Sequence, residues 1–516
     1  MPANSWPEND SYSELWSDLA DPAEAELLRR EAEERVSTGA GNFSPVPESS
    51  FAAEPSQGSE LKTGQFSEGR RRKAAVVLTI VWSGTIALHL LSWGTWLVLG
   101  FTGAMVIHGV RVLRTKPGET PEPLSDDSRD NWPSVSLLVA AKNEEAVIAQ
   151  LVKTLCDLDY PADRYELWVI DDHSTDRTPE LLDRLETEYE QLKVFHRAAG
   201  AGGGKSGALN QVLPLTRGEI LAVFDADAHV SRDVLRQVLP LFERDEVGAV
   251  QMQKAIANTD VNFWTRGQAA EMALDSYFQQ QRIAIGGVGE LRGNGQFIRR
   301  SALEGCGGFN ELTITDDLDL TVRLHLEGWD IEFTLVPVDE EGVTHPWALW
   351  HQRNRWAEGG YQRYLDYWPL IFRNRMGFRK TWDMFMFWII QYFLPMAAVP
   401  DSLMALALKR MPVYSPISAV MLVMSVVAMF TGIKRIRLRR DKLGTKKDKS
   451  QIHSPSLPSG KNLSLHSSSF FVTLLQTVRG MLYMFHWIVV MASVTARVSV
   501  RPKRLKWVKT LHQGKV

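Results

Sequence analysis

Cysteine is nearly absent from this chain. Only Cys156 and Cys306 occur among its 516 residues, in separate segments and without metal-ligand spacing. That excludes a disulfide framework and a thiolate metal cluster, and suits reduced thiols in a cytosol-facing domain. Net charge is scarce too, −3 at pH 7. No basic excess points to nucleic acid, and nothing points to a protein partner. Internal repeats are missing. A cleaved signal peptide is not expected, because some seventy mostly polar residues precede the first apolar stretch.

What is present is strongly segregated. Residues 1–69 are rich in Glu, Asp, Ser, Pro and Gly and read as a disordered acidic segment, with one short helical pattern at 22–35. Residues 74–110 are almost uncharged. At ~1.5 Å per residue they are too long for one membrane crossing and suit two, broken near Ser92-Trp93-Gly94. Arg70-Arg71-Arg72-Lys73 precedes them, and Arg111, Arg114 and Lys116 follow. Residues 70–116 therefore predict a transmembrane hairpin with both ends cytoplasmic. A C-terminal membrane region, 374–516, holds apolar stretches at 382–408, 413–433 and 470–494 and a basic cytoplasmic loop at 434–469. The basic runs 434–449 and 497–509 suit an anionic cytoplasmic leaflet. Three crossings between two cytoplasmic runs give the wrong parity, so one of these stretches is not expected to be a simple span.

Between the membrane segments lies a domain at 133–373. Residues 135–141, 167–170, 192–196 and 220–224 read as strands, and helical patterns run to about Leu158, over 178–189 and over 207–213. Regular alternation of strand and helix predicts a parallel sheet with helices on its faces. The run Ile220-Leu-Ala-Val-Phe224 is apolar throughout, as a strand buried on both faces requires, and it ends in Asp225-Ala-Asp227. Ligands of open α/β sheets lie beyond the carboxyl ends of the strands. Two carboxylates there suit a hard divalent cation and, through it, a diphosphate.

Three further clusters accompany that pair: Asp171-Asp172, Thr315-Asp316-Asp317 and Gln352-Arg-Asn-Arg355-Trp356. A nucleotide-sugar transferase needs a carboxylate for the base or ribose and others for a metal. It also needs a base for the acceptor hydroxyl and cations for the leaving diphosphate. Gly200–Ser206 also resembles a phosphate-binding glycine loop, but Ala199 stands where its first glycine belongs. A membrane scaffold with a dead transferase domain would have lost an acidic cluster, and all are intact.

The order of these motifs resembles the family 2 glycosyltransferases, with the D, D-x-D, [T]-[ED]-D and Q-x-x-R-W signature shared with cellulose and hyaluronan synthases. The likeness covers roughly 135–356. It implies an α/β fold of the GT-A type, a Rossmann-like nucleotide-sugar-binding domain inserted between transmembrane helices. It implies that Asp171 or Asp172 contacts the uridine with Glu144 nearby, and that Lys205 serves the donor. Asp225 and Asp227 would meet the diphosphate and Mg2+. Asp317 would be the general base for inversion. Arg355 would contact the diphosphate, and Trp356 would stack beside the acceptor in the motif that Gln352 opens. His173 stands where the family often has Gly, Ala140 where it often has Pro, and Asp316 replaces the commoner Glu.

Two acceptors stay open. A processive β-glycan synthase of the cellulose or hyaluronan kind would extrude its product, but such enzymes usually carry more spans. The opening Met1-Pro-Ala-Asn-Ser-Trp-Pro-Glu-Asn-Asp and the layout resemble members that glucosylate lipids. That resemblance implies UDP-glucose as donor, diacylglycerol from the bilayer as acceptor, a β-linked product and dependence on Mg2+. A lipid-fed site belongs at the membrane surface. Trp356, Tyr361, Tyr364, Tyr367 and Trp368 suit such an interfacial aromatic run.

Overall fold

The computed structural model describes residues 69–451 and 462–500. The acidic N-terminal segment with its helical pattern, residues 452–461 of the basic loop and residues 501–509 of the last basic run lie outside the described residues. Two helices come first, α1 (Arg70–Leu90) and α2 (Gly94–Arg114). The central domain follows as β1 (Val135–Ala141), α3 (Ile148–Cys156), β2 (Tyr165–Asp171), α4 (Thr178–Glu188), β3 (Leu192–His196), α5 (Gly204–Val212) and β4 (Ile220–Phe224). It continues as α6 (Val234–Val238), β5 (Val247–Ile256), α7 (Phe263–Ala284), β6 (Gln296–Arg299), α8 (Arg300–Gly305), α9 (Asp316–Leu326), β7 (Asp330–Glu340) and α10 (Pro346–Phe372). The C-terminal helices are α11 (Phe378–Trp388), α12 (Leu394–Leu408), α13 (Ser415–Gln451), α14 (Asn462–Met484) and α15 (His486–Val500).

Seven strands form one sheet in the order β3-β2-β1-β4-β6-β5-β7. β4 pairs parallel with β1 on one side, and on the other side antiparallel with β6, which also pairs antiparallel with β5. The sheet is therefore mixed, where the alternation of elements predicted a parallel one. The reason is local. The Gly293-Asn294-Gly295 turn brings the chain back across the strand ends, so β6 can enter only in the reverse direction, and its four residues are too short to announce a strand.

β4 is fully buried because it has a core on each face. Ile220, Ala222 and Phe224 join Leu137, Val139 and Val250 on one side. Leu221 and Val223 join Leu138, Ile298 and Leu320 on the other. A rigid, doubly covered strand fixes the carboxylates that follow it.

Among the described residues five helical stretches are long and apolar enough to cross a membrane: Arg70–Leu90, Gly94–Arg114, Phe378–Leu408, Ser415–Arg439 and Phe470–Val500. Phe378–Leu408 stays helical past Pro395 and Pro400, through a π turn at Ile389–Phe393. Phe470–Val500 is interrupted at Phe485, which separates α14 from α15. The sequence placed a basic loop from residue 434, but α13 continues as helix to Gln451. The first two stretches are tied to the central domain at their charged ends. Arg70 of α1 ion-pairs with Asp366 of α10, and Arg111 Nη2 of α2 donates to the Ile285 carbonyl at 3.2 Å.

The loops after β1 and β2 zip together. Asn143 Oδ1 accepts from the Thr175 N–H at 2.7 Å, the Asn143 N–H donates to Ser174 Oγ at 2.9 Å, and the Glu144 N–H donates to Thr178 Oγ1 at 2.8 Å. His173 in this zipper has φ 55°, a left-handed conformation that disfavours any side chain with a Cβ. That is the physical sense of a glycine at this place. His173→Gly should raise thermal stability by about 0.5–1 kcal/mol, relief of the strain less the extra chain entropy of glycine. A lower melting temperature would show that the imidazole makes a compensating contact.

Candidate active site

A cleft of about 1280 Å³ lies over the carboxyl ends of β1, β4, β5 and β7. It is lined by Glu144, Asp172, Lys205, Asp225, Asp227, Asp317, Gln352, Arg355 and Trp356, together with Asp316. Four loops, the first turns of α5 and α9 and the first three turns of α10 bring these residues together. Asp171 is the exception among the sequence candidates. It is buried at the end of β2, where Oδ1 accepts from the Ser174 N–H at 3.0 Å and Oδ2 meets His196 Nδ1 at 3.0 Å. It shapes the turn, while its neighbour Asp172 faces the cleft, where it pairs with Arg197 and Lys142.

The floor is a charge mosaic. Lys205, in the first turn of α5, reaches Asp225 Oδ1 at 2.5 Å and the Gly293 carbonyl at 3.2 Å. Burial alone would depress its ammonium, but Asp225, Asp316 and Asp317 outweigh that and push its pKa up. It is therefore a permanent cation. Asn294 is wholly buried and accepts the Asp225 N–H at 3.1 Å, which locks the head of the carboxylate pair. Asp227 is buried, and its Oδ2 accepts from the Glu341 N–H at 3.1 Å. Gly293, at φ 82°, packs so closely on Asp317 that an added Cβ would lie 3.3 Å from Oδ2.

Asp225 and Asp227 supply hard oxygen donors one residue apart. Among the described residues no three His, Cys, Asp or Glu side chains converge into a cage. The chain thus offers an open half-shell. A small divalent cation, which keeps its waters and takes one or two carboxylates plus substrate phosphates, fits that donor set. Arg355, in the third turn of α10, completes the floor. Burial lowers its pKa, and Asp225, Asp317 and Asp316 act against that shift. Gln352 accepts from Arg353 Nη1 at 2.8 Å. The Trp356 ring lies between two cations, with the Arg353 guanidinium 4.0 Å and Lys254 Nζ 5.4 Å from its centroid.

Lys254 and Glu340 escaped the sequence reading. Lys254 lies two residues before the end of β5, Glu340 ends β7, and they pair at 2.9 Å inside the cleft. The available signal was at Lys254, the one charge in the strand Val247–Ile256. Arg353 is buried rather than solvated. The interfacial aromatic run is corrected as well. Tyr361 bonds to Thr495, and Tyr367 donates to Asp319 at 2.9 Å, both inside the protein. Tyr364 is half-buried, and only Trp368 is exposed. α10 is sheathed by other helices, so most of its aromatics face protein.

An Asp-x-Asp pair closing the central strand of such a mixed sheet defines a GT-A nucleotide-sugar transferase domain. The glycosyl transferase family 2 profile matches residues 136–307. The chain is similar to the beta-monoglucosyldiacylglycerol synthase of Nostoc sp. (strain PCC 7120), 57% identical over 515 residues, covering 100% of this chain and 99% of that protein. It is 54% identical over 450 residues to the synthase of the same name from Synechocystis sp. (strain PCC 6803), covering 86% and 89%. Among solved structures it resembles a mannosyltransferase from Pyrobaculum calidifontis in complex with GDP-Man and Mn2+. There the identity is 19% and the TM-score 0.46, over 80% of this chain and 99% of that one. The chain belongs to glycosyl transferase family 2 and, within it, to the family of the beta-monoglucosyldiacylglycerol synthases.

Burial, and then the charge of Asp316, raises the Asp317 carboxyl to about 6, against the pull of the Leu318 N–H, Arg292 and Lys254. Such a group is protonated below pH 6 and ionised above it. If Asp317 is the base, kcat/KM for transfer falls as pH drops through about 6. Asp316→Asn removes the adjacent charge and should move that fall to lower pH. An unmoved acidic limb would assign the ionisation to another group.

Proposed function

We propose that this chain is an inverting glucosyltransferase that moves glucose from UDP-glucose to the hydroxyl of 1,2-diacylglycerol, forming β-monoglucosyldiacylglycerol. The observation that carries this reading is the likeness to synthases of that name along the whole chain, membrane segments included. The cleft suits the chemistry. Glu144 and Asp172 stand at its β1–β2 side for the uridine, and Lys205 and Arg355 stand over the Asp225–Asp227 pair for the diphosphate. Asp225 and Asp227 would hold Mg2+, which when bound neutralises charge on the diphosphate.

Asp317 takes the proton of the acceptor hydroxyl as that oxygen bonds to the anomeric carbon. The bond from that carbon to the diphosphate oxygen breaks on the opposite face, and UDP departs with the electron pair. The half-buried carboxyl suits this role because its raised pKa keeps it a competent base near neutral pH. Lys205 and Arg355 stabilise the leaving UDP, and Trp356 gives the acceptor a flat apolar wall.

The acceptor comes from the membrane. Arg497 and Val498 of α15 line the cleft beside α10, and Arg497 pairs with Glu358 at 3.1 Å. The basic flanks of α1 and α2 support a cytoplasmic side for the catalytic domain, to which both ends are tied. Phe378–Leu408, Ser415–Arg439 and Phe470–Val500 are the C-terminal candidates for crossing the bilayer.

Asp317→Asn should lower kcat by at least ~10²-fold, the share typical of a positioned base, while UDP affinity stays at the wild-type value. Asp227→Asn should weaken UDP binding and blunt its response to Mg2+, as chelation does in the wild type. Titration of UDP by calorimetry beside turnover separates the two. Substantial turnover in Asp317→Asn would show the base to be elsewhere.

A further inference from the structure

The break between α14 and α15 at Phe485 sits on a buried charge. Glu271, in the middle of α7, accepts from Arg353 Nη2 at 2.6 Å and from Tyr483 Oη at 2.9 Å on Oε2, and from Trp487 Nε1 at 2.7 Å on Oε1. Tyr483 also receives a bond from Arg353 Nη2 at 3.2 Å. The side chains of Arg353 and Glu271 are only 1% and 9% exposed. Both carboxylate oxygens are engaged, and the three donors come from α10 and from either side of the break.

The site is also carved for its occupant. One turn before Glu271, Gly267 leaves the space that the Tyr483 ring fills, and a Cβ there would overlap that ring. Gly480, on the preceding turn of α14, passes Ala270 so closely that a Cβ would lie 2.6 Å from the alanine methyl. A mid-helix glycine costs about 1 kcal/mol relative to alanine. At Gly267 that cost admits the tyrosine whose hydroxyl reaches Glu271.

A buried ion pair adds little stability over apolar residues of the same volume. What this one supplies is a fixed position for a guanidinium. Arg353 lies 4.0 Å from the Trp356 centroid and 5.9 Å from that of Trp487, so the indole in the cleft rests on an arginine whose other contacts reach the C-terminal break.

We propose that the C-terminal elbow Tyr483–Trp487 is a working part of the transfer site: latched on Glu271, it fixes Arg353 and thereby the Trp356 wall against which the lipid acceptor sits. Glu271 and Tyr483 are positioning residues, and they act on the acceptor side of the cleft. The uridine end of the donor site, beside β1 and β2, lies away from the latch. This rests on the reading of Trp356 as the acceptor wall.

Tyr483→Phe keeps the ring in the Gly267 cradle and removes only the hydroxyl. In the full-length protein in detergent with Mg2+, UDP-glucose and diacylglycerol, it should lower kcat/KM for diacylglycerol by about tenfold, as a displaced positioning group does. The dissociation constant for UDP should stay unchanged. Glu271→Gln, which preserves size, carries the same expectation. In a Trp356→Phe background, Tyr483→Phe should cost nothing further, because both act through one wall. Wild-type kcat/KM for diacylglycerol in Tyr483→Phe, full additivity with Trp356→Phe, or a parallel loss of UDP affinity and melting temperature would overturn the latch. Absence of glucolipid from the wild type would instead overturn the functional reading.

Discussion

Four carboxylates, Asp225, Asp227, Asp316 and Asp317, share one cleft with Lys205, Lys254 and Arg355. Close charges of one sign destabilise one another in a half-buried place, and much of the surrounding structure serves to balance them. Lys205 is held against Asp225, Lys254 against Glu340, and Arg355 acts on three of the acids at once. The Asp317 carboxyl is raised, because the pull of the Leu318 N–H, Arg292 and Lys254 is weaker than its burial and the charge of Asp316.

The balance depends on placement, and the sheet provides it. β4 is covered on both faces, so the Asp-x-Asp pair cannot drift. Asn294 grips the first acid through its backbone, and the Gly293 turn presses against Asp317. The membrane segments enter the same construction. Arg70 and Arg111 fasten α1 and α2 to the catalytic domain, and α15 closes one wall of the cleft. Among the described residues the sheet domain and the apolar helices pack together.

The parts legible in the sequence were those with a local pattern. The apolar run before Asp225 announces a doubly buried strand by itself, and the motif order carries the family. Other features depend on partners far along the chain. β6 is a four-residue strand whose direction is decided by the turn before it. Asp171 and Asp172 are adjacent, and only the pleat of β2 decides which one points inward to His196 and which one faces the cleft. Lys254 and Glu340 belong to strands that meet only in the sheet. The aromatics of α10 look interfacial in one dimension, yet Tyr361 and Tyr367 find hydrogen-bond partners in α15 and α9. Arg353 gave no sign that its partner would be Glu271, 82 positions earlier.

The central claim is the identity of donor and acceptor, and the direct measurement is of the product. Detergent-solubilised full-length protein would be supplied with radiolabelled UDP-glucose, Mg2+ and diacylglycerol, and the products separated by organic extraction and examined for anomeric configuration. The account expects label in a single-sugar glycolipid with a β linkage. Label retained in an insoluble or high-mass polymer would contradict it and make the chain a processive glycan synthase.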